Sequence, residues 1–113
     1  MRKALSLLCA AIFMLASCIP AALAQEEPSL KIVATIFPGY DFARQIVGEN
    51  ADITLLLPPG SDSHSFDPTP QDILAIQNAD LFIYNGGESD EWVRKLLTSL
   101  GEEAPETFVM MDH

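Results

Sequence analysis

The sequence predicts an α/β fold, a parallel sheet with helices on both faces in the order β-α-β-α-β-α-β. Three observations predict it. Short apolar runs alternate with amphipathic stretches from residue 30 onward. The first of those runs, Leu30-Lys31-Ile32-Val33-Ala34-Thr35-Ile36, does not alternate cleanly, as befits a strand buried on both faces. Proline and glycine sit between the segments, where turns and caps belong. Strands alternating with helices imply parallel pairing through right-handed crossovers.

After the first strand, Pro38-Gly39 opens a helix that runs to about Val47. Phe42, Ala43, Ile46 and Val47 form its apolar stripe, and Gly48 stops it. Residues 51–57 make a second strand. A proline-braced loop follows. Thr69 then caps a helix, with Pro70 in its first turn and Asp72 in an acidic variant of the capping box. That helix reaches about Asn78, with Ile73, Leu74 and Ile76 inward.

Residues 80–84 make the third strand, halted by Asn85-Gly86-Gly87. Ser89 or Asp90 caps a third helix, whose stripe is Trp92, Val93, Leu96, Leu97 and Leu100. Gly101 ends it, and Thr107 to Met111 read as a fourth strand. The last strand has nothing after it to cover its edge. A longer protein, or another chain, is the expected remedy.

The first 24 residues read as a signal peptide. Arg2 and Lys3 give a positive start, and Ala4 to Ser17 an apolar run too short to span a bilayer comfortably. Ala22-Leu23-Ala24 before Gln25 is a small-x-small cleavage site. Leu15-Ala16-Ser17-Cys18 also fits a lipobox, which would make Cys18 a lipidated first residue. An uncleaved anchor is the third possibility. Each places the folded part outside the cytoplasm. Residues 25–29 are a polar lead-in, and residues 30–113 the α/β lobe.

Both cysteines, Cys9 and Cys18, lie in the leader. The lobe therefore has no disulfide and no thiolate ligand, so any metal site must use His, carboxylates and water. The formal charge is −10, and −12 without Arg2 and Lys3. Such acidity argues against nucleic acid as a partner. The 89 residues after Ala24 suffice for one small domain.

Chemistry concentrates in residues 58–70, Pro-Pro-Gly-Ser-Asp-Ser-His-Ser-Phe-Asp-Pro-Thr-Pro. His64 stands in the middle, at the C-terminal end of a strand, where open α/β sheets place ligand contacts. Neutral imidazole suits Zn(II) and accepts Mn(II). The prolines restrict the loop before binding, which lowers its ordering cost. Asp62 and Asp67 are candidate acceptors for the second imidazole N–H, with local loop capping as their alternative. Asn85 either supports this loop or simply makes a turn. Glu88, Asp90 and Glu91 cluster at a helix start, where the dipole accounts for them.

The string at Leu30 to Thr35, the His64 loop, and Ala79-Asp80-Leu81-Phe82-Ile83-Tyr84-Asn85-Gly86-Gly87 followed by Trp92 together resemble the solute-binding proteins of bacterial zinc and manganese ABC importers. The likeness runs from Leu30 to about Leu100. It implies an N-terminal lobe of a two-lobed protein, with one metal ion held between lobes that a long helix joins. His64 matches the first of the family's four metal ligands. The other three are expected beyond His113, and His113 itself matches none. Ser63 stands where the family usually has proline, and Asp67 where it usually has glutamate.

The implied function is capture of a divalent metal, zinc first and manganese second, outside the cytoplasmic membrane, with delivery to an ABC permease. The implied protein is a periplasmic or cell-surface lipoprotein rather than an enzyme. Two other readings use the same residues. One is a small exported hydrolase or metalloenzyme working through His64. It lacks a Gly-x-Ser-x-Gly elbow and a His-Glu-x-x-His helix. The other is an adhesin-like surface module, which predicts nothing particular of His64.

Overall fold

A computed structural model describes residues 29–113. The leader, with Cys18 and both processing signals, lies outside the described residues. Four parallel strands form one sheet in the order β2-β1-β3-β4: β1 Leu30–Ala34, β2 Ala51–Leu55, β3 Leu81–Tyr84 and β4 Glu106–Val109. Three helices connect them: α1 Phe37–Val47, α2 Pro70–Gln77 and α3 Glu91–Leu100. The expected alternation is therefore present, with boundaries shifted by a residue or two. Leu56 and Leu57 lie beyond β2 yet extend its ladder, their N–H groups donating to Ala34 O at 2.9 Å and Thr35 O at 3.0 Å. At the end of β4, Met110–Asp112 turn as a one-turn 3-10 helix rather than continuing the strand.

The central strands divide their side chains between two cores. Val33 and Phe82 point to one face, where Ile76 of α2 and Val93 of α3 meet Leu56 and Leu57. Ile32, Ala34 and Ile83 point to the other, where Ala43 of α1 packs, flanked by Tyr40 and Val47. Helices thus cover both faces, as expected. The chain steps from β1 to β2 in one direction and from β2 to β3 to β4 in the other, and connections of one hand must then use opposite faces.

One face carries two helices and the other only one, and this imbalance corrects the expected stripes. Ala43 of α1 is buried, but Phe42 is 60% exposed and Ile46 83%. They border an apolar groove of about 430 Å³, shared with Leu81, Ile83, Phe108 and Met110. The periodicity identifies an apolar helix face, but among the described residues no second helix lies over it. Leu74 of α2 is likewise 57% exposed rather than inward, because α2 seats Ile76 against the sheet. Most of the α3 stripe is as expected: Val93 is fully buried, with Trp92, Leu96 and Leu97 packed around it, while Leu100, at the helix end, is half-buried outside that cluster.

Gly39 shows how closely α1 approaches the sheet. A Cβ there would lie 2.9 Å from Ile83 Cγ2, so the helix start fits against β3 only without a side chain.

Candidate metal centre

The His64 loop is pinned at three places. At its start, Ser61 N–H donates to Pro58 O at 3.0 Å, closing a turn through Gly60. At its end, Thr69 and Asp72 form a reciprocal capping box. Asp72 N–H donates to Thr69 Oγ1 at 3.2 Å, and Thr69 N–H to Asp72 Oδ2 at 2.8 Å. Two donors at the α2 N-terminus, Thr69 N–H and Asp72 N–H, are thereby satisfied, as the sequence pattern predicts.

In the middle, Ser63–Ser65 form a single 3-10 turn capped by Asp62. Asp62 Oδ1 accepts from His64 N–H at 3.0 Å, and Oδ2 accepts from Ser65 Oγ at 3.3 Å. Asp62 therefore makes the capping contacts of its alternative reading, fixing the backbone that carries His64. Asp67 is exposed, as is His64 itself. No hydrogen bond involving the His64 ring is present among the described residues, so the imidazole faces solvent.

A fourth anchor comes from across the sheet. The rings of Phe66 and Trp92 lie 5.2 Å apart, tilted by 59°. The loop after β2 thus reaches the segment after β3, and the Ser63–Ser65 turn packs on the Glu88–Asp90 turn. Since β1 lies between β2 and β3, the His64 loop roofs the C-terminal end of β1. Strand order reverses there, which is where open sheets of this kind bind ligands. Thr35, just past β1, is fully buried, and its Oγ1 has no hydrogen-bond partner among the described residues.

Asn85 is half-buried, and its carbonyl accepts from Met111 N–H at 3.0 Å. Its backbone ties β3 to the end of β4, on the side away from β2. Asp90 departs from its expected role. It occupies the N-cap position of α3 but makes no side-chain cap. It is turned inward, 3% exposed, with Oδ2 accepting from Gly86 N–H at 2.9 Å. The sequence offered no sign of this beyond an acid two residues before a tryptophan. Among the described residues, no three His, Cys, Asp or Glu side chains gather as a metal site.

These features define one α/β lobe: a parallel sheet with a braced histidine over its C-terminal switch point. Residues 32–112 match the family described as "Zinc-uptake complex component A periplasmic", and the chain belongs to that family. It is 42% identical over 73 residues to the high-affinity zinc uptake system protein ZnuA of Bacillus subtilis, covering 65% of this chain and 23% of that protein. A crystal structure of Zn(II)-bound AdcA from Streptococcus pneumoniae superposes with a TM-score of 0.63 at 34% identity, covering 72% of this chain and 18% of that one. The metal-dependent lipoprotein YcdH of Bacillus subtilis superposes at 0.65 with 39% identity, covering 71% and 30%. The chain thus spans less than a third of each of these proteins.

Proposed function

We propose that this lobe captures a divalent metal ion outside the cytoplasmic membrane, with zinc the first cargo and manganese the second, for delivery to an ABC permease. One observation carries the reading: His64 is exposed on a turn whose backbone is fixed by Asp62, docked through Phe66 on Trp92 over the switch point. A ligand so held loses little freedom on binding. His64 is the metal ligand of this lobe, Asp62 holds its turn, and Asp67, three residues after His64, is the outer acceptor left to orient the ring. Asn85 braces the neighbouring strand ends.

Zinc stands first because imidazole favours it over manganese and because the curated relatives ZnuA and AdcA are described as zinc proteins. A tight site needs three or four convergent ligands, so His64 acts with groups that the described residues do not provide. The family description places the work in the periplasm, and Cys18 offers a lipid anchor as the alternative to free release. Among the described residues no hydroxyl or thiol is hydrogen-bonded to the His64 ring, so the site offers no observation in favour of nucleophilic catalysis.

The test is a chromosomal His64→Ala substitution in the source organism, grown with and without a zinc chelator. Zinc accumulation should fall, and growth should recover on added zinc. Uptake equal to that of the parent strain, with the variant present at normal abundance, would overturn the reading. An exposed His→Ala change should alter stability by less than about 0.5 kcal/mol, so loss of function would not reflect unfolding.

A further inference from the structure

A second cavity, of about 570 Å³, opens between the Gly86–Asp90 segment and the turn that ends β4. Four carboxylates border it, from Glu88, Asp90, Glu91 and Asp112, against the single guanidinium of Arg94. An acidic rim alone signals only a solvated helix start. Asp90 adds something different. Its side chain is almost wholly buried, one oxygen is engaged by Gly86 N–H, and Oδ1 is buried with no hydrogen-bond partner among the described residues. A buried carboxylate oxygen without a donor is costly and rare.

Arg94 does not answer it, because its Nη2 sits 3.5 Å from Glu91 Oε1. Tyr84 lines the same cavity. Burial first, then the charges of Asp112 and Asp90, hold its phenol above the ordinary range. Both carboxylates therefore act on the same wall. What this arrangement lacks is a positively charged hydrogen-bond donor. A bare metal ion is poorly served, since among the described residues no three ligating side chains converge. A guanidinium or ammonium needs fewer fixed acceptors.

We propose that this cavity is a socket for one basic side chain, an arginine or lysine presented by a partner protein, with Asp90 accepting at its floor and Asp112 at its rim. None of the lining residues belongs to the His64 loop. The two are read out separately, the socket by amide shifts with the arginine probe and metal capture by zinc accumulation, because the Ser63–Ser65 turn packs on the Glu88–Asp90 turn.

The experiment is amide NMR of the ¹⁵N-labelled chain titrated with N-acetyl-arginine methylamide at constant ionic strength. Gly86, Gly87 and Asp112 should shift saturably, with a dissociation constant on the order of millimolar for a single ion pair. Asp90→Asn keeps an acceptor for Gly86 but removes the charge, and should weaken binding roughly tenfold. If that variant does not fold, Asp112→Asn tests the rim and should weaken binding by a smaller factor. No saturable shift in the parent chain would overturn the proposal. So would equal binding by a folded variant. A response to magnesium or zinc at these amides, with none to the arginine probe, would overturn it in favour of a metal site.

Discussion

Phe66 and Trp92 join two loops that are not neighbours in the sheet order. Their ring centroids are 5.2 Å apart, and the pair carries the His64 loop from its own strand β2 across β1 to the start of α3. The His64 site thus depends on an aromatic contact rather than on the loop's own hydrogen bonds alone. Phe66→Leu should keep most of the apolar contact and lose the ring pairing, at a cost of about 1 kcal/mol in urea denaturation. It should also increase amide exchange at Ser63, His64 and Ser65 more than at β1. Equal protection of that turn in parent and variant would show that the Asp62 cap holds it unaided.

Thr69 supplies the other anchor. Thr69→Ala removes the oxygen that accepts from Asp72 N–H at 3.2 Å and should cost about 1 kcal/mol. Thr69→Ser should restore most of it, since the hydroxyl and not the methyl makes the cap. Denaturant midpoints for the three chains check both statements.

Much of this was legible before any coordinates. The alternation of strands and helices, the Thr69–Asp72 box and the α3 stripe are local patterns, and local geometry realised them. His64 stood out because prolines and a preceding apolar strand framed it. The failures share a cause. Phe42, Ile46 and Leu74 fit helical apolar periodicity, yet periodicity says which face is apolar and not whether anything covers it. Asp90 fits a helix-start acid, but its inward turn depends on Gly86, which closes against β4. That contact is tertiary, and no spacing rule encodes it.

Gly86 makes that closure possible, and its replacement should be severe. Its φ is +92°, and an added Cβ would meet Val109 Cγ1 at 2.7 Å. Gly86→Ala should cost about 2–4 kcal/mol, combining left-handed backbone strain with overpacking. Gly60→Ala, at φ +86° but with nothing within 4 Å of the new Cβ, should cost only the backbone part, about 1–2 kcal/mol. The difference between the two, read from thermal or urea unfolding, isolates the steric share.

The exposed side of α1 supports a contrasting expectation. Ile46 is 83% exposed, so Ile46→Lys should change stability by less than about 0.5 kcal/mol. It should reduce self-association instead, because it interrupts the apolar groove with charge. Sedimentation at several concentrations measures the second effect, and urea unfolding the first. A large loss of stability in a monomeric variant would mean that Ile46 is buried by packing not seen in this arrangement.

Tyr84 links stability to pH on the alkaline side. Burial, and then the Asp112 and Asp90 carboxylates, raise its phenol above the ordinary value of 10.0. The folded chain therefore holds that proton more tightly than the unfolded chain does. By linkage, Tyr84's contribution is complete below the unfolded value and is lost as pH rises through the higher folded value. Ionised, the ring would place a third negative charge beside two carboxylates, with no cation other than Arg94 bordering the cavity. Tyr84→Phe removes the titrating group while keeping the ring that stacks 5.6 Å from Phe82. Between pH 7 and 9 the two chains should show parallel stability profiles. Above about pH 10 the parent should fall more steeply than the variant. Urea midpoints collected at each pH decide it, and parallel profiles up to pH 11 would show that the Tyr84 phenol has the same affinity for its proton in both states.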